Sequence, residues 1–280
     1  MLRNVNPKTK KPVMVMLHGS GSSGAIFSIQ AHLLAKELSK TFDLVFLDAP
    51  IPSEPGPGVL PLFADMPDYY RWLAPANIQL SGTQRLVELF DAARHIQSRL
   101  DAQNVSPDQI TAMLGFSQGA LIALAMLGFR LIGQSIWANL SFCVTIGVGT
   151  TGNTFQMEGV QHMVGMLSAI LGQADGKFPG YTVNAMGLQD LWYKDGKRIA
   201  EMCVPERTRV IDYHDGHVVP RHPVEVKKLM KAIQQIDEAS RSSLNTMQHS
   251  MVESMPSLLA GGDISEGLAV LAANGILIQQ

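Results

Sequence analysis

Residues 110–127 constrain this chain more than any other stretch. An apolar run, Ile110 to Leu114, leads into Gly115-Phe116-Ser117-Gln118-Gly119, and a second apolar run, Ala120 to Leu127, leads out. This describes a buried strand, a turn too tight for side chains at its flanks, and a buried helix. Such a turn holds the serine oxygen clear of the backbone, where a histidine and a substrate carbonyl can reach it. The pattern is moderately specific alone, so the weight falls on whether the rest of the chain supplies a base, an acid and oxyanion donors.

Strand and helix patterns alternate around this centre. Val13 to Leu17 reads as a buried strand ending at His18-Gly19, and a helix follows over 25–39 with Ile29, Leu33, Leu34 and Leu38 at helical spacing. Leu44 to Leu47 is a second strand, closed by Asp48-Ala49-Pro50. Residues 51–67 are rich in Pro and Gly and predict a long loop without regular structure. A helix over 82–100 places Leu86, Leu89, Phe90, Ala93, Ile96 and Leu100 on one face. Beyond the elbow helix (118–129), strands are predicted over 142–147, 181–186 and 208–213, with a helix between the last two and a final core helix over 223–239. This order implies an α/β fold, a mostly parallel, doubly wound sheet with helices on both faces and ligands at the carboxyl ends of its strands.

Two segments depart from the rhythm of this 1–239 domain. Residues 150–179 carry Met157, Met163, Met166, Leu167, Ile170 and Leu171 in one helical pattern. That insertion reads either as a lid over an apolar cleft or as an ordinary packed helix. Residues 240–280 are polar, then apolar from Ser257, and form an extension that packs back on the domain or serves self-association as a homodimer.

Composition excludes several functional classes. Of 280 residues, 46% are apolar and 16% charged, which supports a large core and excludes a disordered chain. A net charge of −2 gives no reason to expect a nucleic acid or an anionic membrane as partner. No apolar run approaches the roughly 20 residues that span a bilayer. The polar, basic start lacks the features of a secretory signal, so a cytoplasmic protein is expected. Cys143 and Cys203 are expected as two buried free thiols.

A serine hydroxyl needs a base within hydrogen-bond reach, and the base needs an acid to hold its tautomer. On an α/β-hydrolase scaffold these come in the order serine, acid, histidine. Downstream of Ser117, the strand over 181–186 ends at Gly187-Leu188-Gln189-Asp190, and the next ends at His214-Asp215-Gly216-His217. Asp190 is therefore the candidate acid and His217 the candidate base. His214 reads as part of the strand, and Asp212 and Asp215 lie too near His217 in sequence to face its ring. A metal site of His214, His217 and His222 with Asp215 matches no zinc spacing. The oxyanion donors would be the backbone N–H of Gln118 and that of Ser20, with Gly21 as the alternative to Ser20. His18 reads as structural, and Asp48 and Trp72 as pocket supports or plain core residues. One rival exists. Gly19-Ser20-Gly21-Ser22-Ser23-Gly24, with Asp48 ending the next strand, fits a dinucleotide fingerprint. It leaves Ser117, Asp190 and His217 unexplained.

With these pieces assembled, the chain resembles the FSH serine hydrolases, a branch of the α/β-hydrolases common in fungi. The resemblance rests on Leu17-His18-Gly19 with Ile26-Phe27, Leu47-Asp48-Ala49-Pro50, Tyr70-Arg71-Trp72, the elbow, Gly187-Leu188-Gln189-Asp190 and Gly216-His217-Val218-Val219-Pro220. It implies Ser117 as nucleophile, Asp190 as orienting acid and His217 as base, with no metal or organic cofactor. It further implies esters or carrier-bound acyl thioesters as substrates. A polyketide synthase is the implied partner, as for polyketide-releasing thioesterases of the lovastatin type. A short-chain carboxylesterase, or a hydrolase-fold protein directing cyclisation or isomerisation, stands as the alternative.

Overall fold

The computed structural model describes residues 11–75, 78, 80–132, 137–149, 161, 164–165 and 176–258, the side chains of 82–83 and 244–258 excepted. Six strands form one sheet: β1 (Val13–Leu17), β2 (Asp43–Leu47), β5 (Ile110–Phe116), β6 (Phe142–Ile146), β7 (Tyr181–Gly187) and β8 (Thr208–Tyr213), in the order β2-β1-β5-β6-β7-β8. Every neighbouring pair in it is parallel. The chain leaves β1 in one direction for β2 and later returns to the other side of β1 as β5. That reversal opens a crevice at the carboxyl ends of β1 and β5, where α/β sheets bind ligands.

The alternation of side chains along each strand sorts the core into two layers. Val13, Val15, Leu17, Met113 and Cys143 face one way, among Leu86, Leu89, Phe90, Ile96 and the central helix residues Leu121 to Leu127. Met14, Met16, Leu114, Val144 and Val183 face the other way, among Phe27, Leu34, Leu38, Leu229, Ile233 and Ile236. The first layer is built by α3 (Gly82–Ala102), α4 (Gln118–Leu131) and α5 (Tyr193–Glu201). The second is built by α1 (Gly24–Gln30), α2 (His32–Leu38) and α6 (Pro223–Leu258). In α4 every residue but Arg130 is buried, which explains an apolar run too uniform to show a face.

The sequence reading is corrected in three places. The helix expected over 25–39 is two short helices meeting at Ala31, whose φ −94°, ψ 8° lies outside the helical region. The segment 51–67 is not wholly irregular. Its first residues, β3 (Ile51–Pro52), pair antiparallel with β4 (Tyr70–Arg71), and Val59 and Phe63 are anchored on Ile26. The final helix does not stop at 239 but runs on to Leu258. The main sheet is parallel, with helices on both faces, as the sequence order implied. The methionine-bearing insertion falls outside the described residues except at 161, 164–165 and 176–179, and so do residues 259–280.

Candidate active site

Ser117 sits between β5 and α4 with φ 54° and ψ −118°, a conformation that costs a non-glycine residue on the order of 1–3 kcal/mol. Its flanking glycines follow from crowding. A Cβ on Gly115 would run into the Gly119 carbonyl, and one on Gly119 into the carbonyls of Leu17 and His18. The Ser117 N–H donates to the Ile146 carbonyl at 2.9 Å, which ties the turn to β6.

Asp190 and His217 arrive from the ends of β7 and β8. Backbone bonds lace their two turns together: Leu188 N–H donates to Tyr213 O at 2.9 Å and Gln189 N–H to Asp215 O at 3.0 Å. The Tyr213 hydroxyl, buried, donates to the Val218 carbonyl at 2.7 Å, one residue past His217. Burial, with Asp190 and Asp215 nearby, pushes its ionisation far above the ordinary tyrosine range, so it remains a donor.

The three side chains predicted from sequence meet. His217 Nε2 lies 3.0 Å from Ser117 Oγ, and His217 Nδ1 lies 2.8 Å from Asp190 Oδ2. Asp190 Oδ1 accepts the Trp192 N–H at 2.8 Å, so both carboxylate oxygens are engaged and neither is free to rotate away. The Asp190 side chain is 2% exposed and that of His217 16%. The acid is thus shut off from water while the imidazole keeps access to a substrate. With Asp190 accepting at Nδ1, the neutral ring carries its proton there and offers Nε2 as acceptor to the serine hydroxyl.

The excluded alternatives have physical reasons. His214 is not in β8 as expected. The strand ends at Tyr213, whose carbonyl also takes the Asp215 N–H, and His214 is exposed in the turn. Asp215 pairs with Arg221 at 2.9 Å, and Asp212 accepts from the Tyr193 hydroxyl at 3.3 Å. Among the described residues no group of three or more His, Cys, Asp or Glu side chains is placed to hold a metal ion. Asp48 Oδ1 accepts the Gly24 N–H at 2.8 Å, so the acid that a dinucleotide site would offer to a ribose instead ties down the start of α1.

The loop after β1 is braced from behind. His18 is buried. Its Nε2 accepts the Ala49 N–H at 3.0 Å and its Nδ1–H donates to Gly19 O at 2.7 Å. Burial pushes its pKa down to about 4, which keeps the ring neutral. The Trp72 indole donates to the His18 carbonyl at 2.8 Å, and Gln118 Oε1 accepts the Trp72 and Leu73 N–H groups at 2.7 and 3.3 Å. Trp72 and the Gln118 side chain are therefore braces. The Gly21 N–H is committed to the Tyr70 carbonyl at 2.8 Å. The Ser20 and Gln118 N–H groups have no hydrogen-bond partner among the described residues. Of the two N–H groups considered after β1, that of Gly21 is therefore already taken and that of Ser20 is not, among the described residues.

Sequence reasoning missed the residues that border the triad. Phe116 packs on the His217 ring at 4.9 Å between centroids, and Trp192 meets it edge-on at 4.4 Å. Gly149 is bare backbone against it. A Cβ there would stand 3.3 Å from Ser117 Oγ and 3.2 Å from His217 Cε1. Gly147-Val148-Gly149, at the end of the strand predicted over 142–147, was the available signal. Both cysteines are buried free thiols as expected, their ionisation raised by burial, Cys203 to about 11. Among the described residues no helix is long and apolar enough to cross a membrane.

A parallel doubly wound sheet carrying serine, aspartate and histidine past the ends of β5, β7 and β8 defines a serine hydrolase of the α/β-hydrolase fold. A solved structure, that of esterase PE8, shares this fold with a TM-score of 0.51 and 17% identity over 81% of this chain and 94% of that one. The serine hydrolase (FSH1) family matches residues 8–229, and the chain belongs to that family. Among its relatives is the esterase FUS5 of Gibberella fujikuroi, 30% identical over 224 residues, covering 80% of this chain and 86% of the relative. Another is the dihydromonacolin L-[lovastatin nonaketide synthase] thioesterase of Aspergillus terreus, 36% identical over 129 residues, covering 44% of this chain and 50% of that protein.

Proposed function

We propose that Ser117, His217 and Asp190 are nucleophile, base and orienting acid in the hydrolysis of an ester or thioester, and that the acyl group is a polyketide-type chain released from a carrier in secondary-metabolite biosynthesis. The observation that carries the chemistry is the unbroken relay from Ser117 Oγ through the imidazole to the buried Asp190. His217 Nε2 takes the hydroxyl proton as Oγ attacks the carbonyl carbon. The oxygen, now negative, receives the Ser20 and Gln118 N–H groups, each worth about 3 kcal/mol in comparable sites. Protonated His217 then gives its proton to the departing alcohol or thiol as the carbon–oxygen or carbon–sulfur bond breaks. Water, activated by the same imidazole, attacks the acyl-enzyme and restores the serine. Each step moves an acyl group and a proton, and none calls for a redox cofactor.

The thioester reading draws support from the Aspergillus terreus thioesterase. The simple ester reading draws support from the esterase FUS5, which aligns over more of the chain. A protein steering cyclisation or isomerisation would keep the same scaffold without forming an acyl adduct. A fluorophosphonate should label Ser117, and Ser117→Ala should abolish labelling and cut turnover by at least about a thousandfold. Wild-type turnover in the alanine variant would remove Ser117 from the reaction. Intact-protein mass spectrometry with carrier-bound polyketide thioesters and with short-chain esters should reveal which of them acylates the enzyme.

A further inference from the structure

The turn that delivers Asp190 also lays an apolar surface beside the imidazole. Trp192 lies two residues on, its ring edge-on to His217 at 4.4 Å, and its N–H is held by Asp190 at 2.8 Å. A Cβ at Gly149 would touch Ser117 Oγ, His217 Cε1 and Trp192 Cδ2, all between 3.2 and 3.3 Å. The serine oxygen, the imidazole and the indole therefore converge on the bare backbone of Gly149, so closely that one added methyl group would be crowded. In the same turn as Asp190 and Trp192, Leu191 is 90% exposed and Leu188 43%.

The direction of the reaction decides which part of the substrate passes Trp192. Of the two oxyanion donors in the acyl-enzyme reading, Ser20 comes from the β1 side of Ser117 and Gln118 from the start of α4, while Gly149 comes from the β6 side and Asp190 and Trp192 from the β7 side. The carbonyl oxygen must turn toward the two donors. The departing atom must come within hydrogen-bond reach of His217 Nε2 to receive its proton. Its first carbons then run past whatever packs on the imidazole. Phe116, on one side of the ring, is core and 7% exposed. Trp192 is half-buried and has surface to offer.

We propose that Trp192, beside the bare backbone of Gly149 and continued by Leu188 and Leu191, is the subsite for the leaving group, and that it selects alcohols or thiols with an apolar or flat first segment. This rests on the acyl-enzyme reading of Ser117 and adds to it which part of the substrate meets this wall. The two half-reactions isolate the subsite, because the leaving group is present in acylation and gone in deacylation.

The test uses S-ethyl, S-butyl and S-hexyl thioesters of one acyl group, whose thiols have similar acidity, with acylation and deacylation of Ser117 followed separately by rapid quench and mass spectrometry. Unaltered enzyme should acylate faster as the thiol chain lengthens. Trp192→Ala should flatten that preference by about tenfold and leave deacylation of the shared acyl-enzyme within about twofold. Trp192→Phe should restore part of the preference. Equal loss in both half-reactions would make Trp192 a support for His217 and overturn the subsite. So would a loss that follows the acyl chain's length rather than the thiol's. If the unaltered enzyme forms no adduct on Ser117 with any thioester, the hydrolase reading fails and the subsite with it. An adduct whose rate of formation ignores the thiol sinks the subsite alone.

Discussion

At Ser117 the backbone is held at positive φ by its surroundings, and the strain is offset by burial of the strand and helix on either side. The space in front of the oxygen is equally constrained. Gly149→Ala would bring a methyl group within 3.3 Å of Ser117 Oγ and 3.2 Å of His217 Cε1, closer than most side chains tolerate. We expect that variant to fold with a stability within about 1 kcal/mol of the unaltered protein's, yet lose about a hundredfold in kcat/KM, since small displacements at a reacting atom carry costs of that size. Steady-state kinetics beside a melting curve would check it. A residue-scale lesson follows. Asp190 and His217 could be read from the sequence because each ends a strand pattern. Trp192 could not, because nothing local distinguishes a tryptophan that meets an imidazole from one that fills a core.

Elements position the site through their joints rather than their middles. The turns after β7 and β8 are tied by two backbone bonds, and the Tyr213 hydroxyl holds the His217 turn from below. Tyr213→Phe removes that donor and leaves the Val218 carbonyl unpaired by it. Loss of one such bond costs about 1 kcal/mol of stability, and kcat should fall several-fold with KM little changed. Denaturant melts and kinetics together would show whether both losses occur. On the opposite flank, Gln118→Ala strands the Trp72 and Leu73 N–H groups, which are buried. That should destabilise the protein by about 1–3 kcal/mol and weaken turnover through the loop that carries Ser20. Strand and helix order was legible from periodicity; the capping box at the start of α3, where Ser81 and Gln84 bond reciprocally, emerged only from the structure. The break at Ala31 and the short pairing of β3 with β4 were not legible either, because neither has a local composition that demands it.

For the molecule as a whole, the two core layers and the nearly fully buried α4 set the stability. Leu124→Ala in α4 should cost about 2–5 kcal/mol by leaving a cavity between helix and sheet, measurable as a drop in the urea midpoint. His18 links stability to pH. Its folded pKa of about 4 lies below the usual 6.5, so between those values the unfolded chain binds a proton that the folded chain refuses. Stability contributed by neutral His18 is present above pH 6.5 and is lost as pH falls toward 4, by on the order of 3 kcal/mol. His18→Asn should flatten the stability profile across that window, and a profile as steep as the wild type's would assign the loss to other groups. By itself, the sequence determined the succession of strands and helices, the elbow and the identity of the three relay residues, because periodicity, glycine crowding and strand ends are properties of short stretches. Only the tertiary structure decided that the Gly21 N–H is taken by Tyr70 while that of Ser20 has no partner among the described residues, that Asp48 holds the Gly24 N–H at the start of α1, that Gly149 borders the nucleophile and that Trp192 borders the imidazole. Those outcomes depend on which strands the sheet sets side by side and how tightly they pack, and contacts between residues dozens of positions apart leave no trace in local sequence pattern.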